Sequence, residues 1–353
     1  MRRPPGHQRG LAVVMVLLIL ALMTTLIAFM VEAEHIAIRR TTNATQAEQG
    51  YQAALSGEQW ALAVLRADID QDQSDPIQND HLEEDWAKVE KPPVSIPDAE
   101  ISVKIIDESA KFNLNNLYIG SEKARQNPPK QDGTAPSPTE AEIWRRAFEG
   151  LLQTLKIDDD LHFAVEQYLD YDDDSNGRIS DMAAEDNDYL SEDPPYRAPN
   201  RLMEDLSELR RIKGFDDEVI AKLRPYVTVL PSYGARINAN TCDPKLFTIL
   251  FRADSNLEAA YISEAEARTL EELRGQGNNG IQEFEQRFNE ALPSMPFKPA
   301  FLFDEKSRYF RIISRTKVGR LSYGIESLVR RTPPRGPGDD PGLQVVQRRR
   351  TLG

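Results

Sequence analysis

"QRGLAVVMVLL", residues 8–18, sets Arg9 and Gly10 directly against an uncharged run that continues to Val31. As a helix, residues 11–31 are about 30 Å long at 1.5 Å per residue, one hydrocarbon thickness. The run is longer than the apolar part of a secretory signal, and no small-x-small cleavage site closes it. Arg2, Arg3 and Arg9 precede it, and Glu32 and Glu34 follow. The positive-inside bias therefore predicts a cytoplasmic N-terminus, with the chain from about residue 32 across the membrane. A plain single-pass anchor would also satisfy these facts.

Helical character continues past the run. Residues 32–67 contain no proline and no strand-like alternation. Gly50 and Gly57 each cost about 1 kcal/mol of helix propensity without breaking the pattern. Tyr51, Leu55, Leu62 and Leu65, with Ala54 and Ala61, fall on one helical stripe. This stripe is expected to pack against helices of partner subunits. Further on, "AEISVKIIDE" (residues 99–108) alternates Ile101, Val103 and Ile105 on one face, a half-buried strand. "RYFRIISRT" (308–316) and "LSYGIESLV" (321–329) read as two more strands around Val318-Gly319. The sequence between is helical in pattern. Thr139 and Glu142, then Asp205 and Glu208, form capping boxes, and Asp216 opens a helix that Pro225 stops. "KFNLNNL" (111–117) and "RINANTC" (236–242) repeat an apolar-Asn-x-Asn core. The second resembles the entry of helix-hairpin-helix and SAM-like modules, although the hairpin of the first unit, residues 213–217, carries Asp216 and Asp217, which would repel phosphate.

A basic leader ending in glycine, an apolar run that becomes a long amphipathic helix, and strands after it resemble the type IV pilin and pseudopilin architecture. The resemblance implies that a prepilin peptidase cuts between Gly10 and Leu11. The usual fifth mature residue of that group is glutamate, and here it is Met15. A carboxylate in hydrocarbon costs a few kcal/mol unless it is paired, and in pilins it is thought to pair with the amine of the subunit assembled before. A subunit assembled first has no such neighbour. Loss of that glutamate marks the type II secretion pseudopilin K family, the tip subunits. "YLDYDDD" (168–174), "AAEDNDYL" (183–190) and "YRAPNRLMEDLSELRRIKG" (196–214) are similar to that family's acidic turns, Ala-Glu-Asp element and Ser-Glu-Leu helix. The resemblance spans residues 8–331.

The fold it implies is α+β: a pilin-like long N-terminal helix packed on a small antiparallel sheet, with a large inserted all-α domain of two SAM-like or helix-hairpin-helix-like units. Its divisions are a leader (1–10), a membrane part (11–31), a pilin-like domain (32–115), an insertion (116–293, units 116–235 and 236–293), final strands (294–331) and a flexible tail (332–353). Implied partners are I- and J-type minor pseudopilins, the major pseudopilin, the prepilin peptidase and the inner-membrane assembly platform. The implied location is the bacterial inner membrane, with the C-terminal domain periplasmic. A calcium-binding minor pilin or adhesin of a surface fibre is the other reading.

Length and charge agree with this division. A chain of 353 residues suggests two domains or one with a large insertion. A net charge of −14 excludes nucleic acid as a partner, since phosphate binding needs a basic surface. The deficit is concentrated in residues 157–193, where fourteen acids face only Arg178. Within it, "DDDSNGRIS" (172–180) places oxygen donors Asp172, Asp174, Asn176 and Ser180 at positions 1, 3, 5 and 9 of a loop, with Gly177 sixth and the Arg178 carbonyl at the seventh. This resembles an EF-hand or dockerin calcium loop. It departs at the twelfth position, Ala183, where Glu185 and Asp186 are placed to close the shell. Donors that are all hard oxygen favour Ca2+ over zinc, and calcium in the helical domain is also what the family resemblance implies. The alternative is a solvated acidic loop.

Nothing in the sequence points to catalysis. His7, His35, His81 and His162 are scattered, there is no phosphate loop or nucleophile elbow, and Cys242 is the single cysteine. Carboxylate pairs without an apolar setting supply no general acid. The Arg348-Arg349-Arg350 run reads as part of a solvated tail.

Overall fold

The uncharged run and the amphipathic run after it form a single helix, α1 (Gln8–Ser74), of 67 residues. The computed structural model describes residues 8–74, 79–90, 92, 99–118, 140–169, 189–191, 193–253, 259–274, 286, 289–290, 301–319, 321–332 and 342–352. The other described helices are α2 (Glu140–Thr154), α3 (Leu161–Leu169), α4 (Asp217–Leu223) and α5 (Glu264–Arg274). In chain order the described strands are β1 (Ala99–Asp107), β2 (Phe112–Asn113), β3 (Val227–Thr228), β4 (Ile237–Asn238), β5 (Phe251–Ala253), β6 (Ala259–Tyr261), β7 (Phe303–Asp304), β8 (Tyr309–Val318), β9 (Leu321–Thr332) and β10 (Gly342–Leu352).

From Gly10 to Thr45 the side chains of α1 are exposed, so this part of the helix stands clear of the folded body. From Gly50 onward one narrow face turns inward, burying Ala53, Ala54, Gly57, Glu58, Ala61, Leu65 and Ile69. A Cβ on Gly50 would lie 2.2 Å from the Tyr323 ring, and one on Gly57 would lie 2.3 Å from Ser314 Oγ. The two glycines thus let the helix approach the sheet more closely than a side chain permits. That is the return for their poor propensity.

The sheet is antiparallel throughout, in the order β1-β8-β9-β10. Period-two alternation aims Ile101, Val103, Ile105, Phe310, Ile312 and Val329 at α1, where they form one core with Ala61, Leu65 and Trp86. β9 runs alongside the helix, with Tyr323 at Gly50, Ser327 at Glu58 and Arg331 at Asp68. The C-terminal segment is a correction to the sequence reading. Residues 342–352 are the fourth strand, not a flexible tail, because their arginines find fixed partners on both sides of the sheet.

The chain leaves the sheet after Asp107 and returns at Tyr309, wider limits than residues 116–293. β2 pairs with β3 and β4 with β7, both parallel, and β5 pairs with β6. The insertion is therefore mainly helical but carries three short strand pairs where an all-α domain was expected. The two expected units share one continuous core, from Phe112 and Trp144 through Leu209 to Phe247 and Phe303. Local chemistry places its turns. Asp205 and Glu208 form the expected capping box, over a 3-10 helix (Leu206–Arg211), and Asp216 accepts from Val219 N at 2.8 Å to cap α4. Thr139 lies outside the described residues.

Candidate assembly site

The residues expected to act in assembly lie along α1. Gly10 and Leu11 sit in its first turns, both exposed, and nothing lies within 4 Å of where a Gly10 Cβ would be. A peptide bond there is sterically open. Met15 is exposed with the rest of the apolar run, and this helix is long and apolar enough to cross a membrane.

The expected partner stripe is largely used inside the chain. Leu65 is buried, with Ala54 and Ala61, against the sheet, and Leu62 packs on the edge of the same core. Tyr51, half-buried, lies beneath the Arg350 guanidinium at 3.9 Å, and Leu55 is half-buried too. The physical reason is that the sheet needs a cover, and the small residues of this stripe supply the closest-fitting face. The free surface of α1 is instead the opposite side and the stretch from Gly10 to Thr45.

The proposed calcium donors Asp172, Asp174, Asn176, Arg178, Ser180, Glu185 and Asp186 lie outside the described residues. Among the described residues two carboxylate groups converge: Asp158, Asp159 and Asp160, which are largely exposed, and Asp68, Asp80 and Glu84. In the second group Arg331 already pairs with Asp68 at 2.5 Å and with Asp80 at 2.6 Å. Burial pushes Asp68 and Asp80 up, against the downward pull of that guanidinium, and pushes Glu84 up to about 7.

This second group belongs to a polar junction that seats the insertion on the end of the sheet. Asp107 is buried and accepts hydrogen bonds from the hydroxyls of Thr241 and Ser307 and from Ser109 N. Burial pushes its carboxyl up to about 7. Ser307 N donates to Asp80 at 2.6 Å, and Asn238 Nδ2 donates to the Asp80 carbonyl at 3.1 Å and to Ser307 Oγ at 2.7 Å. Beside it, Glu108 accepts from Arg311, from Thr228 at 2.6 Å and from Lys111 at 3.3 Å. Burial alone would raise Glu108, but Lys111 and Arg311 outweigh it and hold the carboxyl below its ordinary value.

The apolar-Asn-x-Asn repeat finds its explanation here. Asn113 and Asn238 each end a two-residue parallel strand and accept from the backbone N two residues on, at 3.3 Å and 2.8 Å. Asn115 grips Met203 N, Met203 O and Leu230 O, while Asn116 grips Ala235 N and O. The repeat holds loops in place, with the side-chain amides of Asn113, Asn115, Asn116 and Asn238 buried and paired. Sequence reading missed Asp107 and Glu58 as structural centres. The available signal was a carboxylate in the inward register of a strand and another on an apolar helical stripe.

A family model described as type II secretion system (T2SS), protein K matches residues 110–232. The type II secretion system protein K of Pseudomonas aeruginosa is 30% identical over 345 residues, covering 97% of this chain and 92% of that protein. The Klebsiella pneumoniae protein of the same name is 33% identical over 271 residues, 74% of this chain and 76% of that one. The crystal structure of the GspK-GspI-GspJ complex from enterotoxigenic Escherichia coli contains a chain with the same fold, at a TM-score of 0.65 and 22% identity, covering 89% of this chain and all (100%) of that one. The fold is thus shared with that structure, and on the sequence match this chain belongs to the type II secretion system protein K family, minor pseudopilins and not enzymes.

Proposed function

We propose that the chain caps and initiates the type II secretion pseudopilus, sitting at its tip above I- and J-type minor pseudopilins, with the major pseudopilin below. The supporting observation is where the insertion attaches. Gly50, nearest the exposed helix, meets Thr316, whereas Asp107 and Tyr309 lie at the opposite end of the sheet, beside Asp80. The insertion therefore crowns the end of the body farthest from the membrane segment. In a packed helical fibre that end abuts the next subunit above, and a domain of this size leaves no room there. Met15 suits the same position, since a subunit without a predecessor has no amine to neutralise. The GspK-GspI-GspJ complex supports I- and J-type proteins as neighbours.

On this reading, a prepilin peptidase cuts after Gly10, the assembly platform of the inner membrane receives the subunit, and the soluble part stands in the periplasm. Calcium held by Asp172, Asp174, Asn176, Arg178 (through its carbonyl), Ser180, Glu185 and Asp186 stabilises the insertion. Gold labelling of the insertion in assembled fibres tests the placement. Label at one end only is expected, and label along the shaft refutes it.

A further inference from the structure

We propose that β10 is a strap that ties the long helix to the far side of the insertion, with three consecutive arginines gripping alternately on its two faces. Successive side chains of a strand point to opposite faces. Arg348 and Arg350 accordingly reach α1, while Arg349 between them reaches the insertion. Arg348 forks onto Glu58, Nε to Oε1 at 3.0 Å and Nη2 to Oε2 at 2.7 Å. Arg350 lies over the Tyr51 ring. Arg349 pairs with Asp205, the cap of the 3-10 helix at Leu206–Arg211.

The rest of the strand serves the same two sides. A bulge falls between Val345 and Gln347. Val345 packs on the helix core and Val346 with Leu230, Tyr309 and Leu328 under the insertion, and the bulge shifts the alternation by one, so that Arg348 and Arg350, not Gln347 and Arg349, share the face of Val345. The polar junction at Asp107 holds the insertion only at its root, where the chain enters and leaves. The strap adds a second point of attachment, and two points fix an angle that one leaves free to hinge.

The two grips differ in strength. The Glu58 side chain is 0% exposed, so without Arg348 it is a buried carboxylate with no cation beside it, left with the Ser327 hydroxyl as donor. Arg349 and Asp205 are 50% and 29% exposed, a pair of the kind that contributes little to stability. The strap is therefore anchored firmly on the helix and lightly on the insertion.

The test uses full-length chain in detergent, spin-labelled through Glu218→Cys on α4 and Arg315→Cys on β8. Both positions are exposed, and Cys242 is buried. Pulsed electron resonance of the otherwise unaltered chain is expected to give one narrow distance distribution. Arg349→Ala should widen it at least about twofold and speed amide exchange in β10 up to about fivefold. Asp205→Arg with Arg349→Asp should narrow it again. Arg348→Ala should speed exchange in β10 more than about a hundredfold while the β1–β8 pair keeps its protection. Widths and β10 exchange that match the unaltered chain in both arginine variants overturn the proposal. So does a broad distribution in the unaltered chain, or loss of protection in β1, β8 and β10 together. Should Arg348→Ala fail to fold, the Arg349 variants alone decide it.

Discussion

Asp107 continues the inward register of Ile101, Val103 and Ile105, yet its carboxyl meets Thr241 and Ser307 of the insertion instead of the apolar core. Its pKa is raised, so the folded chain holds a proton there that the unfolded chain releases near pH 4. The stability this group lends is full below pH 4 and is lost as pH rises toward about 7. The slope over that window reaches at most about 1.4 kcal/mol per pH unit. Asp107→Asn keeps an acceptor for Ser109 N and offers an amide that both hydroxyls can accept. Melting of the variant minus that of the unaltered chain is expected to be more positive at pH 7.5 than at pH 5. A difference independent of pH would mean that Asp107 does not titrate in this window. Residue-scale logic of this kind was partly legible: an acid in an apolar register is visible in "IIDE", but its partners lie 134 and 200 positions away.

At the scale of elements, the contact between α1 and the sheet depends on the absence of side chains at Gly50 and Gly57. Gly57→Val should improve helix propensity, yet its methyls must enter the space of Ser314 and Val103. Overpacking of this sort costs about 1–3 kcal/mol, so a lower melting temperature is expected. A rise would show that the helix does not approach the sheet so closely. Elements with a clean period were readable: β1, β8 and β9 begin and end within a few residues of where alternation places them. β10 was not. "GLQVVQRRRTL" has little apolar alternation, and what fixes it as a strand is its ladder with β9 together with the grip of Arg348 on Glu58, 290 positions earlier. The stripe at Tyr51, Leu55, Leu62 and Leu65 was legible as a stripe but not in its destination, since periodicity reports that a face is buried and not which surface buries it.

At the scale of the whole molecule, the acid-rich segment and the insertion it belongs to carry the third expectation. Because an ion that binds only folded protein stabilises it by mass action, calcium at 100 times its dissociation constant should add about 2.7 kcal/mol. Melting should rise accordingly, and Asp174→Ala with Asn176→Ala should remove most of the rise. Melting indifferent to both calcium and chelator would leave a solvated acidic loop. The general plan of helix, sheet and insertion could be read from the order of periods along the chain. The unity of the insertion's core could not, because it depends on contacts such as that between Phe112 and Trp144, whose rings are 5.8 Å apart.

The pairing of β1 with β8 has a consequence in time. Asp107 stands opposite Phe310, so the edge strand β1 and its neighbour β8 register only when residues 108–308 bring their own ends together. Closing so long a loop as free chain is slow, whereas helices built from local contacts form early. Folding should therefore run from the middle of the sequence outward: insertion, then sheet, then the terminal helix and strand. Pulse-labelled exchange during refolding is expected to protect α2 and α3 before β8. Synthesis, by contrast, makes α1 first, so the newborn helix must wait, its sheet-facing side uncovered, until β8 and β9 have followed β1 out, more than two hundred residues later.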